Sequence, residues 1–125
     1  MTYGNLIAGQ WVNSERFTTN RNPSDISDVI GEYAQADLSQ LDAAIAAARA
    51  AFPAWSAGSV QARSDALDRI GNEILTRKEE LGELLAREEG KTRPEAIGEV
   101  TRAGYIFKFF AGECVRLSGE LLPSV

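Results

Sequence analysis

The chain has 125 residues, of which 44% are hydrophobic and 25% are charged, with 13 Lys and Arg residues against 18 Asp and Glu residues. It contains no His and one Cys, Cys114, which excludes Ser-His-Asp and Cys-His nucleophile pairs and any zinc site built from His and Cys ligands. The net charge of -5 argues against nucleic acid as a partner, because phosphate binding needs a local excess of Lys and Arg.

Membrane and compartment signals are absent from the sequence. No apolar run approaches the roughly 18 to 20 residues of a membrane span, and Met1–Trp11 lacks the basic start and apolar core of a signal peptide. We therefore expect a cytoplasmic protein with no membrane partner. Cys114 has no second Cys for an intrachain disulfide, which fits a reducing compartment. The neighbouring Glu113 disfavours a thiolate, so we interpret Cys114 as an apolar packing residue.

The first 36 residues have the pattern of a β arm made of short strands and turns. Asn5–Val12 has two short apolar runs around a glycine, which predicts a tight hairpin. A further short strand is predicted at Phe17–Thr19, a turn at Asn20–Asp25 and an extended segment over Val29–Ala36. Because hairpins of this size are marginal in isolation, the β arm needs another element to pack against.

Three long helices are predicted to follow, at about residues 37–56, 59–89 and 93–118. In each of them the apolar residues recur at spacings of three and four, which places them on one face. The residues that begin and end the helices are Asp37, Ser59 and Pro94 at the starts and Gly58, Gly90 and Gly119 at the ends. The chain is therefore predicted to be mainly α.

The third helix contains Gly98, Gly104 and Gly112. Each costs about 0.5–1 kcal/mol relative to Ala, which indicates that another element packs closely against the helix. Residues 119–125 then form an apolar, extended run that has the pattern of a strand start. The three amphipathic helices lack the parallel sheet on which such helices normally rest, so the chain has the pattern of a part of a larger fold.

The order of these motifs resembles the N-terminal segment of the NAD(P)-dependent aldehyde dehydrogenase superfamily, over essentially the whole chain. The residues that carry the resemblance are Asn5–Val12, Asn22-Pro23, Ala51–Trp55, Arg63, Glu88–Lys91, Glu95-Ala96, Gly98–Val100 and Phe109–Gly112. Within the superfamily the chain looks most like bacterial semialdehyde dehydrogenases, especially those for α-ketoglutaric semialdehyde (2,5-dioxopentanoate), with succinate semialdehyde enzymes close behind.

The resemblance implies an α/β fold, the aldehyde dehydrogenase fold, and an oxidoreductase that uses NAD or NADP. Residues 1–118 would form the N-terminal part of the cofactor-binding domain, and residues 119–125 would begin the strand that leads to the oligomerisation arm. In the family, a Cys attacks the aldehyde, a hydride passes to the nicotinamide and a Glu activates water, and all of these groups lie beyond residue 125. No residue of this chain is therefore assigned as catalytic, cofactor-binding or metal-binding.

The implied partners are the remainder of the aldehyde dehydrogenase chain, a semialdehyde substrate and further copies in a homo-oligomer, a dimer or a tetramer. We expect that this segment alone neither oxidises aldehydes nor binds NAD. The alternative function is a stand-alone helical interaction module, in which the exposed apolar stripes of the helices bind a partner.

The family pattern also places the third helix at the mouth of the substrate tunnel, with Arg102 facing inward and Gly98 one turn earlier. A guanidinium at that place suits a semialdehyde that carries a carboxylate, because Arg pairs bidentately with carboxylates and stays charged. The alternative is that Arg102 pairs with Glu99 or Glu95 on a solvated helix face.

Other candidate residues have structural interpretations. Glu88 and Glu89 are adjacent and no third ligand follows at a suitable spacing, which favours a solvated helix end over an acid-base or metal site. We interpret Lys91 as a cation at a helix C-terminus rather than an anion ligand. The aromatic residues Trp11 and Trp55, and the group from Tyr105 to Phe110, are interpreted as packing residues. No glycine-rich phosphate-binding loop is present.

Overall fold

The computed structural model describes residues 1–116, 118 and 119. Within these residues, five strands precede four helices. The strands are β1 (Thr2–Tyr3), β2 (Asn5–Ile7), β3 (Gln10–Val12), β4 (Phe17–Asn22) and β5 (Asp25–Ala34), and the helices are α1 (Leu38–Ala57), α2 (Val60–Thr76), α3 (Lys78–Glu89) and α4 (Arg93–Cys114). The prediction of a mainly α chain with a β arm at its start is confirmed.

The β arm consists of two small sheets. Strands β2 and β3 form an antiparallel hairpin in which Leu6 stands opposite Trp11, and the turn residues Ala8 and Gly9 have φ angles of 51° and 79°. A two-residue turn with both φ angles positive matches the twist of a hairpin, and glycine adopts such angles without strain. The hairpin predicted over Asn5–Val12 is therefore confirmed.

The second sheet has the strand order β1-β5-β4. Strands β4 and β5 are antiparallel, and both run into the segment Asn20–Asp25 predicted as a turn. Asn22 pairs with Asp25, which leaves a turn of two residues. Strand β1 pairs with β5 in parallel, which places Tyr3 opposite Tyr33, and their rings stack with centroids 4.9 Å apart. This parallel pairing joins residues 30 positions apart, so no local pattern indicates it.

Helix α1 begins at the predicted cap. The Asp37 carboxylate accepts a hydrogen bond of 2.8 Å from the backbone N–H of Gln40, and this bond lowers the pKa of Asp37. The helix continues through Pro53 and ends before Gly58, and none of its residues is buried. Gln40 links α1 to the β2-β3 hairpin, because its side chain bonds Asn5 and the carbonyl of Asn13.

The prediction of one helix over residues 59–89 is wrong, because the chain breaks it into α2 and α3 at Arg77. The backbone of Arg77 has φ -101° and ψ 17° and leaves the helical region. Hydrogen bonds still run from the Arg77 N–H to Glu73 and from the Leu81 N–H to Arg77, so the break costs little. The Arg77 side chain also binds carboxylates on both sides, those of Glu73 and Glu80.

The predicted end of the last helix at residue 118 is also wrong, because α4 ends at Cys114. Val115 has φ -87° and ψ -5°, and the Arg116 N–H bonds the carbonyl of Glu113 three residues earlier. A bond of this kind tightens the last turn and ends the helix. Residues 120–125, where a strand start is predicted, lie outside the described residues.

Helices α2, α3 and α4 form the packed body of the described structure, and α4 contacts both of the others. The buried apolar side chains are mostly small, and they are Ile30, Ala86, Ala96, Val100 and Ala111. Small residues let helix backbones approach closely. Across the described part of the chain, none of the helices has the length and apolarity that crossing a membrane requires.

Candidate functional site

Helix α4 carries the predicted substrate-facing residues, and a capping box sets where it begins. The Glu95 carboxylate accepts hydrogen bonds from the Thr92 hydroxyl at 2.7 Å and from the Thr92 backbone N–H at 3.4 Å. The hydroxyl bond lowers the pKa of Glu95. Pro94 lies in the first turn, where its missing N–H is not needed. This fixed start determines which residues of α4 face outward.

One face of α4 is buried and the opposite face is exposed. Ala96, Val100, Gly104 and Ala111 are the buried residues. The exposed α4 face consists of Gly98, Arg102, Tyr105 and Phe109, which follow one another at helical spacings of four, three and four.

Two aromatic side chains share the exposed α4 face with Arg102. Tyr105 is 61% exposed and Phe109 is 59% exposed, and a Cβ built on Gly98 would meet no atom within 4 Å. The structure thus presents a cation, two rings and an open glycine together. That this face lines a substrate tunnel stays a prediction.

Arg102 forms no ion pair with any residue of the described chain, whereas the other two cations of α4 are paired. Arg93 binds Glu79 and Glu83 at 3.0 Å each, and Lys108 binds Asp68 at 2.6 Å, which lowers the pKa of Asp68. Neither Glu95 nor Glu99, the two alternative partners predicted for Arg102, pairs with it. The guanidinium is exposed and available for an anion.

Glu99 is bound instead by Lys91, which lies just after the end of α3. The ammonium Nζ of Lys91 lies 2.7 Å from Oε1 of Glu99 and also binds the carboxylate of Glu89. These two carboxylates, Glu89 foremost, raise the pKa of Lys91. The side chain of Lys91 is only 20% exposed. Lys91 therefore joins the end of α3 to α4 through two ion pairs, a role that the sequence did not reveal.

A second polar cluster holds the β arm against α3 and was also missed. We call it the β arm–α3 clamp, and it consists of Asn20 of β4, Asp28 and Tyr33 of β5, and Arg87 and Glu88 of α3. Arg87 donates two hydrogen bonds to Asp28, of 2.6 and 2.9 Å, and these bonds lower the pKa of Asp28. Glu88 accepts from Asn20 at 3.0 Å and from the Tyr33 hydroxyl at 3.4 Å.

The interpretation of Glu88 as a solvated residue is wrong, because the β arm covers it and leaves it half-buried. Burial raises the pKa of Tyr33, and the charge of Glu88 adds to that effect. Arg87 and Asp28 neutralise each other, and the Glu88 carboxylate accepts hydrogen bonds from neutral donors, which suits attachment of the β arm rather than acid-base chemistry.

Several aromatic residues predicted to pack are exposed in the described structure. Trp11 and Trp55 are 71% and 58% exposed. Cys114 is half-buried and lines an open cavity of about 410 Å³ with Leu67, Phe109, Phe110 and Glu113. The surfaces that would cover these side chains are not among the described residues.

The described residues do not fit a dinucleotide cofactor. Carboxylates occupy the helix starts, where a pyrophosphate would otherwise bind: Asp37 caps α1, Glu79 and Glu80 lie in the first turn of α3, and Glu95 lies in that of α4. At α2 the Ser59 hydroxyl already accepts from a backbone N–H. The described part of the chain also has no cluster of three or more His, Cys, Asp or Glu residues that could hold a metal ion.

Comparisons of the sequence with known proteins all lead to one family. A sequence profile of the aldehyde dehydrogenase family matches residues 11–125. The chain is 34% identical to the alpha-ketoglutaric semialdehyde dehydrogenase of Bacillus subtilis, over 98% of this chain and 26% of that protein. It is 42% identical to the vanillin dehydrogenase of Corynebacterium glutamicum, over 95% of this chain and 25% of that protein. The chain thus spans about a quarter of the length of these curated relatives.

Solved structures share the fold over nearly the whole chain. An NAD-dependent benzaldehyde dehydrogenase from Corynebacterium glutamicum superposes with a TM-score of 0.88 at 40% identity, over 98% of this chain and 27% of that one. A 1-pyrroline-5-carboxylate dehydrogenase of Thermus thermophilus gives a TM-score of 0.91 at 31% identity, over 98% of this chain and 24% of that one. The chain has the aldehyde dehydrogenase fold and belongs to the aldehyde dehydrogenase family.

Proposed function

We propose that the chain is the N-terminal portion of an NAD(P)-dependent aldehyde dehydrogenase that oxidises a semialdehyde, α-ketoglutaric or succinic semialdehyde, to the carboxylic acid. Relatives named for these substrates support the proposal, among them the alpha-ketoglutarate semialdehyde dehydrogenase of Haloferax volcanii at 39% identity and the mitochondrial succinate-semialdehyde dehydrogenase of Arabidopsis thaliana at 34%. The observation that carries the substrate class is the guanidinium of Arg102, which lies on the exposed α4 face and has no ion pair among the described residues.

Residues 1–118 contribute, in this proposal, to the cofactor-binding domain, and residues 119–125 begin the strand that leads to the oligomerisation arm. NAD(P) would supply the hydride acceptor for this oxidation, and residues other than those of this chain would hold the cofactor and perform that chemistry. The homo-oligomer and the cytoplasmic location belong to the same proposal.

The part played by this chain is substrate recognition at the tunnel entrance. Arg102 binds the carboxylate at the end of the substrate remote from the aldehyde, through a charge-assisted pair of hydrogen bonds. Gly98 leaves open space one turn earlier, while Tyr105 and Phe109 form apolar walls. Removal of water from around such a pair strengthens the attraction between guanidinium and carboxylate. The carboxylate end is thereby fixed while the aldehyde reaches the catalytic groups.

An aromatic aldehyde is the second candidate substrate. The relatives named vanillin dehydrogenase and benzaldehyde dehydrogenase are 42% and 40% identical to this chain, and the exposed rings of Tyr105 and Phe109 suit stacking against a substrate ring. An uncharged ring leaves the guanidinium of Arg102 without a counter-ion, so Arg102 separates the two substrate classes.

The test is the variant Arg102→Leu in the full-length enzyme, with succinic semialdehyde and butanal as substrates of similar length. Loss of a hydrogen bond to a charged group costs roughly 1.5–3 kcal/mol, so we expect KM for the semialdehyde to rise about 10-fold or more. KM for butanal changes less than about twofold. Arg102→Lys keeps the charge but loses the bidentate geometry and gives an intermediate KM.

Arg69→Leu is the matched control, since Arg69 is an exposed arginine that belongs to α2 and not to α4. It leaves both KM values unchanged. An equal change in KM for the two aldehydes in Arg102→Leu contradicts recognition of a carboxylate. A preference of the wild-type enzyme for benzaldehyde over both semialdehydes favours the aromatic class instead.

A further inference from the structure

The neighbours of Arg102 on α4 show which side chain of the helix could occupy its guanidinium. On a helix, side chains three and four residues apart meet, so the positions that reach Arg102 are Gly98, Glu99, Tyr105 and Ile106. Only Glu99 among these carries a carboxylate. An ion pair between Glu99 and Arg102 would occupy the guanidinium with a group that is always present at high effective concentration.

Lys91 prevents this pairing in the structure. It holds the Glu99 carboxylate at 2.7 Å, on the side of α4 that faces the end of α3. Lys91 is itself fixed by its ion pair with Glu89 and is mostly covered, whereas Glu99 is 55% exposed. The other nearby cation, Arg93, is bound to Glu79 and Glu83. Lys91 is therefore the cation that keeps Glu99 away from Arg102.

We propose that Lys91 is a positioning residue for substrate recognition: by binding Glu99 it leaves Arg102 free to bind the carboxylate of the semialdehyde. This inference rests on the proposed function, because it concerns the same guanidinium. It assigns to Lys91 and Glu99 an influence on the KM of one class of substrate, although neither residue touches the substrate.

The test compares variants of the full-length enzyme with succinic semialdehyde and with butanal. In Lys91→Met, Glu99 is released to pair with Arg102. We expect KM for the semialdehyde to rise about twofold, which corresponds to the free energy of an ion pair between helical residues three apart. The kcat value and the KM for butanal stay unchanged. Lys91→Arg keeps the ion pair with Glu99 and behaves like the wild type.

The decisive variant is Lys91→Met combined with Glu99→Gln. Without the competing carboxylate, Arg102 is free again, and KM for the semialdehyde returns to the wild-type value. A purely structural role of Lys91 predicts no such recovery, because the double variant has lost the same link between α3 and α4. A KM that stays raised in the double variant, or an equal change for butanal, overturns the inference.

The Arg102→Leu measurement separates this inference from the proposed function. A selective rise in KM in Arg102→Leu without one in Lys91→Met refutes the role of Lys91 alone. The absence of a selective effect in Arg102→Leu refutes both. A selective rise in both variants, with recovery in the double variant, supports both.

Discussion

Close contact between α3 and α4 depends on the absence of a side chain at Gly82. A Cβ added there would lie 2.5 Å from Cγ1 of Ile97 and 2.9 Å from its Cα. The second of these atoms belongs to the backbone of α4, so a rotamer change cannot relieve the clash, and the two helices would have to move apart. The packing that aims the exposed α4 face therefore depends on the absence of a side chain at residue 82.

Overpacking usually costs about 1–3 kcal/mol, and after the gain in helix propensity we expect Gly82→Ala to lower the free energy of unfolding of the full-length protein by about 0.5–2 kcal/mol. Alanine gains about 0.5–1 kcal/mol in helix propensity, which is smaller than that cost. Gly112→Ala is the control, because its Cβ would meet only the end of the Arg116 side chain at 4.0 Å. Denaturant unfolding measures both, and equal effects of the two variants would contradict the close contact.

The glycines of α4 show how far a residue pattern can predict packing. The sequence indicates close packing around Gly98, Gly104 and Gly112 alike. Only Gly104 is tightly packed in the described structure, where a Cβ would lie 2.8 Å from Leu75. A glycine in a helix indicates that the position lacks a side chain at some cost in helix stability. It does not indicate whether another helix or open solvent lies next to that position.

The β arm–α3 clamp is the main polar attachment of the β arm to the helices. Asp28 and Arg87 are its charged centre, with side chains 28% and 37% exposed. Partly covered, bidentate pairs hold their geometry better than exposed pairs do. The clamp fixes β4 and β5 at the end of α3, next to Lys91 and the start of α4.

Asp28→Asn should loosen this attachment and reduce the protection of β4 and β5 against amide hydrogen exchange in the full-length protein. The pKa of Asp28 is lowered from 3.8 by Arg87, so its contribution to stability is present above about pH 3.8 and is lost as the pH falls through the lower folded-state pKa. The difference between wild type and variant is therefore largest near neutral pH and disappears in strong acid.

Glu80→Gln is the control for the clamp, since it removes a carboxylate of α3 whose pair with Arg77 is exposed, at 64% and 46%. Exposed pairs contribute little, so β4 and β5 keep their protection in this variant. Equal loss of protection in Asp28→Asn and Glu80→Gln would show that the clamp is not what holds the arm.

Helices, strands and turns can be predicted from the sequence where residues close together in the chain determine them. The hairpin at Asn5–Val12, the start of α1 after Asp37 and the stop at Gly90 follow from local turn and cap chemistry. The break at Arg77 contains neither Gly nor Pro, and the apolar spacing runs on through it, so periodicity alone joins α2 to α3. The clamp joins Asp28 to Arg87, 59 residues later, and such pairs require knowledge of the fold.

The whole molecule exposes much of its apolar surface. No residue of α1 is buried, and its apolar stripe is open, with Leu38, Phe52 and Trp55 exposed by 79%, 67% and 58%. A cavity of about 270 Å³ between the other three helices is lined largely by Leu and Ile side chains. The sequence predicted these stripes, but it could not show what covers them, because helix periodicity defines a face and not its partner.

Isolated as a 125-residue protein, the chain is expected to be poorly cooperative and inactive. Its buried side chains are mostly small, and no large side chain of the described residues is completely buried. The core therefore supplies little of the stability that a domain of this size needs. Heating should give a broad unfolding transition, and the exposed stripes should bind a hydrophobic dye and promote association. No NAD(P)H should form with succinic semialdehyde, whereas the proposed full-length enzyme should form it. A sharp unfolding transition of a monomer would contradict this expectation and favour a stand-alone interaction module.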